Sequence, residues 1–346
     1  RYNWYCIHNI ISKKRNKNIK IFRAVRNGWP FLYYFYLNIH TKLVRMVYIM
    51  GKKSLKECKW GEKIEVSLMI NKILDRNENM LWAYAGDKYK EIKCLFSSDV
   101  LLNEGDVVLL KGHYGEPFKP DKVECVKEYN IEDYLPTVKR PINDIMNELE
   151  NMTKEEVTSE EGKALNDYFF KNENFVSKFK KAIGGVYNHH NYLGGLAEHT
   201  LNVMYLAKTL AYRYDIKYKE IAILGAKLHD IGKVYEMNYD GPFSYTTTGS
   251  LQGHIVMGVT MIEKAFVESE LDFSEDFKNR IKGIIVQHHG KLEFGSPVQP
   301  RTVESYVVHY ADYVDATMNK LDIIGEGIGK GEWSRFDKRI EGRVLY

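Results

Sequence analysis

Two hydrophobic periods divide the chain. Between residues 60 and 128, apolar residues fall in short runs separated by turn signals, and the runs at 62–74, 80–85, 88–96, 106–114 and 119–127 read as strands. The breaks are Asp75-Arg76-Asn77, Gly86-Asp87, Asn103-Glu104-Gly105 and Gly115-Glu116-Pro117. Five short strands at this spacing predict a small all-β barrel. Residues 129–141 form a polar connector with Pro136 and Pro141. Beyond it the period becomes helical. Ile142, Ile145, Met146 and Leu149 follow Pro141 at helical spacing, and further helices are expected near 159–171, 173–183, 195–213, 218–229, 250–269, 274–288 and 301–320. The predicted architecture is multidomain. A barrel over 51–128 is joined by a linker over 129–141 to an all-α domain over 142–322, with a tail over 323–346. Repeats and low-complexity tracts are absent from the sequence. The glycine-rich stretch 325–331 lacks the Lys-Ser/Thr ending of a phosphate loop, so it reads as a flexible loop.

The fragment Glu104-Gly105-Asp106-Val107-Val108-Leu109-Leu110-Lys111-Gly112 resembles the fourth strand of an OB-fold. Trp82 and Tyr84 would share one strand face, with Tyr89, Phe96, Tyr114 and Phe118 nearby. OB barrels hold single strands by stacking bases on such rings. Trp82, Tyr84, Tyr89 and Tyr114 are therefore the candidate nucleic-acid contacts. The competing reading is that most of these rings fill the barrel core.

With 346 residues, 44% hydrophobic and 28% charged, the composition is that of a soluble globular protein with a sizeable core. Cys6, Cys58, Cys94 and Cys125 form no CxxC pair. A disulfide framework and a thiolate zinc site are not expected, and a cytoplasmic location fits. The net charge of +4 hides an asymmetry, because residues 1–50 hold ten Lys or Arg and no acid. The remainder is net acidic, so any nucleic-acid site there must be a local patch. The apolar run from Trp29 to Leu37 is shorter than the roughly 20 residues that span a bilayer, and no small-residue cleavage site follows it. The first fifty residues read as a membrane-surface anchor, a nucleic-acid arm, or a stretch upstream of a true start at Met46 or Met50. The lack of amphipathic periodicity favours the last, and a membrane partner is not expected.

Candidate chemistry is concentrated in the helical half. Eight of the eleven histidines lie between 189 and 309, and the order is His199, His229-Asp230, His254, His288-His289, Asp312. The gaps of 30, 24, 34 and 23 residues each accommodate a helix and a turn. A lone helical histidine is usually structural. Five ligand-bearing segments in one helical region instead suit a hydrolytic metal centre. His229-Asp230 ends a helix whose apolar residues Ile221, Leu224 and Leu228 recur at helical spacing, with Ile231-Gly232 as the expected stop. At such an end two adjacent side chains can enter one cleft, and Lys233 follows within reach of a substrate phosphate.

These pieces resemble the HD-domain phosphohydrolases. The histidines between the HD pair and the last aspartate resemble that superfamily's two-metal branch. The resemblance is closer still to the YhaM-type 3′→5′ exoribonucleases, through His189-His190-Asn191-Tyr192-Leu193-Gly194-Gly195-Leu196-Ala197-Glu198-His199-Thr200, Leu228-His229-Asp230-Ile231-Gly232-Lys233 and Ala311-Asp312-Tyr313-Val314-Asp315-Ala316. An OB-like barrel ahead of an HD domain is that family's architecture, and the match covers about 60–320 but not 1–50. The resemblance implies that His199, His229, Asp230 and Asp312 hold one metal. Asp230 would bridge to a second, held by His254 and by His288 or His289. His190 and Lys233 would face the substrate phosphate, with Asp230, Lys233 and His190 as the catalytic set.

Two divalent ions roughly 3.5–4 Å apart would lower the pKa of a bridging water and neutralise the phosphoryl oxygens. Mixed His/Asp donors suit Mn, Fe, Co, Ni or Zn better than Mg, and the resemblance points to Mn. The leading expectation is an exonuclease on single-stranded RNA, or on single-stranded DNA, releasing nucleoside 5′-monophosphates. A second is another HD hydrolase acting on nucleotides or cyclic dinucleotides, although the residues after His288-His289 contain no Gly-Tyr-Pro. A third is a non-catalytic single-strand-binding protein. The resemblance also allows a homo-oligomer.

Overall fold

The computed structural model describes residues 53–187 and 189–346. The basic segment 1–50, including Trp29–Leu37 and the candidate starts Met46 and Met50, lies outside the described residues.

The first half is a curled five-stranded antiparallel sheet of β1 (Lys63–Arg76), β2 (Met80–Gly86), β3 (Glu91–Ser97), β4 (Val107–His113) and β5 (Lys119–Cys125). The strand order is β3-β2-β1-β4-β5. Cys94 in β3 bridges Phe118, just ahead of β5, in parallel orientation and brings the two edges together. The Phe118 N–H donates to Lys93 O at 2.8 Å and the Leu95 N–H to Phe118 O at 2.9 Å. The ring order is thus that of an OB-like barrel. Alternation explains it: Ile64, Val66, Leu68 and Ile70 of β1, Leu81, Ala83 and Ala85 of β2, and Ile92, Cys94 and Phe96 of β3 are buried in one cluster. Register shifts in β1 after Ile70 and Ile73 bend the strand so that it pairs with both β2 and β4. Met69 breaks the alternation because its side of the sheet is also covered; with Val107 it joins the core of the helical half.

The connector is docked. Tyr134 and Leu135 are buried with that helical core. The Tyr134 and Ser67 hydroxyls lie 2.8 Å apart, and Val138 N–H donates to Leu193 O at 2.8 Å. The helices are α1 (Ile142–Glu156), α2 (Glu160–Phe170), α3 (Glu173–Phe179), α4 (Gly195–Arg213), α5 (Lys219–Leu228), α6 (Lys233–Glu236), α7 (Thr247–Glu268), α8 (Glu275–Gln287) and α9 (Val303–Gly325). A two-stranded ribbon, β6 (Met237–Asn238) and β7 (Ser244–Tyr245), separates α6 from α7. Side-chain caps mark four of the helix starts: Ser159, Thr246, Ser274 and Thr302 each accept from an N–H of the first turn.

Helix α5 is central. Every residue from Ile221 to Leu228 is buried, as expected of a helix enclosed on all sides. Its one charged buried residue, Lys227, donates to Thr153 Oγ1 at 2.8 Å and Asn166 Oδ1 at 2.7 Å and lies 3.8 Å from the Phe170 ring centre. The C-terminus of α5 therefore delivers its next two residues into the interior of the domain. Among the described residues no helix is long and apolar enough to cross a membrane.

Candidate metal centre

Five elements converge below the end of α5. His199 lies one turn into α4, His229 caps α5 and Asp230 follows. His254 comes from α7, His288 caps α8 with His289 next, and Asp312 comes from α9. The chain does not stop at Gly232 as the sequence suggested. Gly232 keeps right-handed helical angles, and α6 starts at Lys233. Its glycine character serves close approach, since a Cβ there would lie 2.0 Å from His254 O. Gly232→Ala should therefore force α6 and α7 apart, costing about 1–3 kcal/mol and displacing His254. Thermal melts together with metal titration would detect both effects. In α7, Gly253 has φ 72° and ψ 158°, a kink reserved for glycine. The His254 N–H beyond the kink donates to Glu236 Oε1 at 2.9 Å.

The two oxygens of Asp230 face different sets of donors. Oδ2 lies 3.4 Å from His199 Nε2 and 3.3 Å from His229 Nε2. Those nitrogens are 3.2 Å apart, and Asp312 Oδ1 is 3.3 Å from His199 Nε2. Oδ1 lies 3.5 Å from both His254 Nε2 and His288 Nε2. His254 Nε2 is in turn 3.3 Å from His289 Nε2. His199, His229 and Asp230 form one group able to hold an ion, and His254, His288 and His289 a second. Both histidines of the 288–289 pair thus reach the second group, where the sequence left one of the two open.

The tautomers agree with this arrangement. His229, His288 and His289 donate Nδ1–H to the carbonyls of Ala226 at 2.7 Å, Ile285 at 2.8 Å and Phe294 at 2.9 Å. A carbonyl can only accept, so the proton is on Nδ1 and the Nε2 lone pair points inward. His199 Nδ1 meets Asp315 Oδ2 at 2.6 Å, and His254 Nδ1 meets Glu236 Oε1 at 3.2 Å. Lone pairs that face each other at this range repel unless a cation lies between them. Two nitrogens bound to one ion at about 2.1 Å would themselves be roughly 3–3.4 Å apart. Asp230 Oδ1 and His288 Nε2 are buried without a hydrogen-bond partner. The residues present therefore fit divalent ions on both sides of Asp230. Burial alone would raise the carboxyl pKa of Asp230, but Lys233 beside it holds the group well below the carboxylate range. Burial, reinforced by His289, pushes His288 well below the usual imidazole value and keeps it neutral.

The two residues expected to face a substrate phosphate differ: His190 is engaged elsewhere, while Lys233 lies beside Asp230. His190 is buried, and its backbone has φ 53°. Its Nδ1 lies 2.7 Å from the Tyr192 hydroxyl and its Nε2 2.7 Å from Asp315 Oδ2, so both ring nitrogens are engaged. The neighbouring His189 has the open position, with its ring 5.5 Å from that of His199 and a buried Nδ1 lacking any partner. Burial, reinforced by Lys233, pushes its pKa well below the usual imidazole value. Lys233 turns back one helical turn, placing Nζ 2.6 Å from Asp230 Oδ2. Burial favours its neutral amine, but Asp230 holds the pKa above its ordinary value.

Asp315 and Glu236 carry roles that the sequence reading did not assign. Asp315 is buried and accepts from His190, His199 and Asn202. Its position one turn beyond Asp312 was an available signal. Glu236 holds both the backbone and the ring of His254, and its spacing carried no such signal.

On the barrel, Trp82 and Tyr84 are half-buried on the outward side of β2, and Lys93 Nζ lies 4.5 Å from the Trp82 ring centre. Tyr89 is exposed, with Lys56 and Lys88 near its ring. Tyr114 is only 7% exposed and belongs to the barrel core, its hydroxyl accepting from Lys90 Nζ at 2.8 Å. It fills the barrel and has no open face to offer a base. The ring beside it, Trp60, is 73% exposed and meets Tyr114 edge-on.

Residues 196–317 match the HD domain family. The chain is also 30% identical over 310 residues to the 3′-5′ exoribonuclease YhaM of Bacillus subtilis, covering 86% of this chain and 93% of that protein. It is 32% identical over 219 residues to the YhaM of Bacillus velezensis, covering 63% of this chain and 68% of the relative. The chain belongs to the YhaM family of HD-domain 3′-5′ exoribonucleases. The HD match takes in six of the helical segments that build the site, from His199 to Asp315, and begins after His189 and His190. The HD match spans His199, His229, Asp230, His254, His288, His289 and Asp312, with the OB-like barrel on the same chain.

Proposed function

We propose that the protein is a metal-dependent exonuclease that shortens single-stranded RNA from its 3′ end and releases nucleoside 5′-monophosphates. The observation that carries this reading is the split of Asp230, one oxygen toward His199 and His229 and the other toward His254 and His288. His199, His229, Asp230 and Asp312 would hold one divalent ion. Asp230, His254, His288 and His289 would hold a second. Mn is favoured, and Fe, Co, Ni or Zn are also compatible with mixed imidazole and carboxylate donors. When bound, the ions supply a water of lowered pKa and positive charge against the phosphoryl oxygens.

The protein's own groups orient and neutralise. Asp315, Glu236 and three backbone carbonyls lock the five ring orientations, so little reorganisation accompanies the reaction. Lys233 keeps a positive charge beside Asp230, where it can stabilise a phosphorane-like transition state. His189, not His190, is the histidine free to hydrogen-bond a phosphate oxygen. Water adds to phosphorus and the P–O3′ bond breaks. The 3′ oxygen leaves with the shortened strand and takes up a proton, while the phosphate stays on the 5′ carbon of the released nucleotide. Trp82, Tyr84 and Tyr89 offer ring faces near Lys93, Lys56 and Lys88, the mixture a strand-binding barrel uses.

Incubating the protein and Mn²⁺ with 5′-labelled single-stranded RNA should give a ladder shortening one nucleotide at a time. An intact label with no ladder under Mn, Fe, Co, Ni and Zn would refute the reading. A second expected outcome concerns the outer ligands. Asp315→Asn should weaken metal affinity about 10–100-fold, because it removes the carboxylate that makes His199 a strong donor. Competition titration with a metallochromic chelator would measure this, and an unchanged affinity would leave Asp315 a packing residue.

A further inference from the structure

Helix α9 has two faces. Glu304, Ser305, Val307, Val308, Ala311 and Asp315 are buried on one, which holds the aspartates at the metal centre. The other presents Val303, Tyr306, Tyr310, Tyr313, Val314 and Met318, each 41–60% exposed. None is charged, whereas a solvent-facing helix stripe is ordinarily polar. The tyrosines lead toward the metal ligands. The Tyr306 and Tyr310 rings are 24° from parallel with centroids 6.3 Å apart. The His309 ring lies 5.1 Å from Tyr310 and 6.4 Å from Tyr313. His309 Nδ1 donates to His288 O at 2.8 Å, and its ring lies over Gly290, next to His289. Asp312 sits in the same turns. At a rise of about 1.5 Å per residue, Tyr306 is roughly 9 Å along the axis from Asp312, a span of roughly two to three stacked nucleotides.

We propose that the Tyr306–Tyr310–Tyr313 face of α9 is a base-stacking platform for the RNA nucleotides on the 5′ side of the scissile phosphate. The proposal rests on the exoribonuclease reading above. Three observations favour RNA over a second copy of the chain. The rings are tyrosines, and those of Tyr306 and Tyr310 present near-parallel faces. They are continuous, through His309, with the backbone of His288. Finally, the loop after His289 adds another exposed ring and a cation, since Phe294 is 51% exposed with Lys291 Nζ 5.2 Å from its centre. Aromatic faces beside cations are what sequence-tolerant strand binding requires. The barrel would then hold the upstream strand and α9 the last bases before the cleft.

The test uses the full chain, a Tyr306→Ala/Tyr310→Ala variant and the matching Tyr306→Phe/Tyr310→Phe variant, with oligoribonucleotides of increasing length from a dinucleotide upward. The alanine pair should raise KM about five- to a hundredfold on strands long enough to lie on the face, with kcat little changed and the dinucleotide losing least. The phenylalanine pair should keep the wild-type length dependence, because the ring faces remain. The proposal is overturned if the alanine pair shows the wild-type length dependence. It is also overturned if size-exclusion chromatography shows that this pair splits an assembly without changing KM, which would make the face an interface between copies. RNA binding in EDTA separates the two readings: a wild type that binds through these tyrosines in EDTA, yet does not shorten the strand when Mn, Fe, Co, Ni or Zn is restored, refutes the exoribonuclease assignment alone.

Discussion

Asp230→Asn should reduce RNA hydrolysis by about 10³-fold or more while single-strand binding survives. Among the described residues, Asp230 is the carboxylate whose oxygens face both His groups, so its loss damages both at once. The barrel that carries Trp82, Tyr84 and Tyr89, by contrast, is built on a separate core. The substitution has a second effect that must be separated from the first. Lys233 is 8% exposed and pairs with Asp230 at 2.6 Å. Removing the carboxylate leaves a buried ammonium unpaired, at a cost of roughly 3–5 kcal/mol. Adding Lys233→Met should recover much of that stability and none of the activity. Urea unfolding and turnover on the two variants distinguish the roles. If Asp230→Asn turns over RNA at near-normal rates, the assignment of the centre is wrong.

The amino-acid pattern made most of the scaffold legible. The five strand ranges and the long helices fall within a few residues of expectation, because alternation in β1–β3 and the apolar spacing in α5 are consequences of burial on one side or on all sides. The grouping of the His and Asp residues was legible as well, since His229-Asp230 and His288-His289 both occupy helix ends. Less legible were features that depend on backbone path. His190 has a left-handed backbone angle and both ring nitrogens engaged, while His189 Nδ1 has no partner, and no residue type signals such an angle in a non-glycine. Tyr114 could not be told from an exposed ring by sequence, because Trp60 and Tyr114 meet only through the pairing of β1 with β4, and the curl of the sheet decides which ring goes inside. The connector read as polar, yet Tyr134 and Leu135 are buried against a surface that exists only once both halves have folded.

The second large effect concerns products. Chromatography of a complete digest should contain nucleoside 5′-monophosphates only. Water attack with departure of the 3′ oxygen leaves the phosphate on the 5′ carbon, so 3′-monophosphates or early internal fragments would contradict the mechanism even if the metal groups are right. Paired 3′ ends should resist, because freeing a terminal nucleotide costs a few kcal/mol that binding recovers only from an already single strand. A 3′-terminal phosphate should inhibit, since it adds charge and bulk where a single end must enter between helices. Equal rates on paired and unpaired ends would show that the substrate does not thread into the cleft.

The central claim is that Asp230 is shared between two ion sites. Anomalous diffraction at the Mn edge from crystals grown with Mn²⁺ tests it most directly. The account predicts two peaks roughly 3.5–4 Å apart, one near His199, His229 and Asp312 and one near His254, His288 and His289, with an oxygen of Asp230 on each. A single peak, or two peaks that Asp230 does not join, would contradict it.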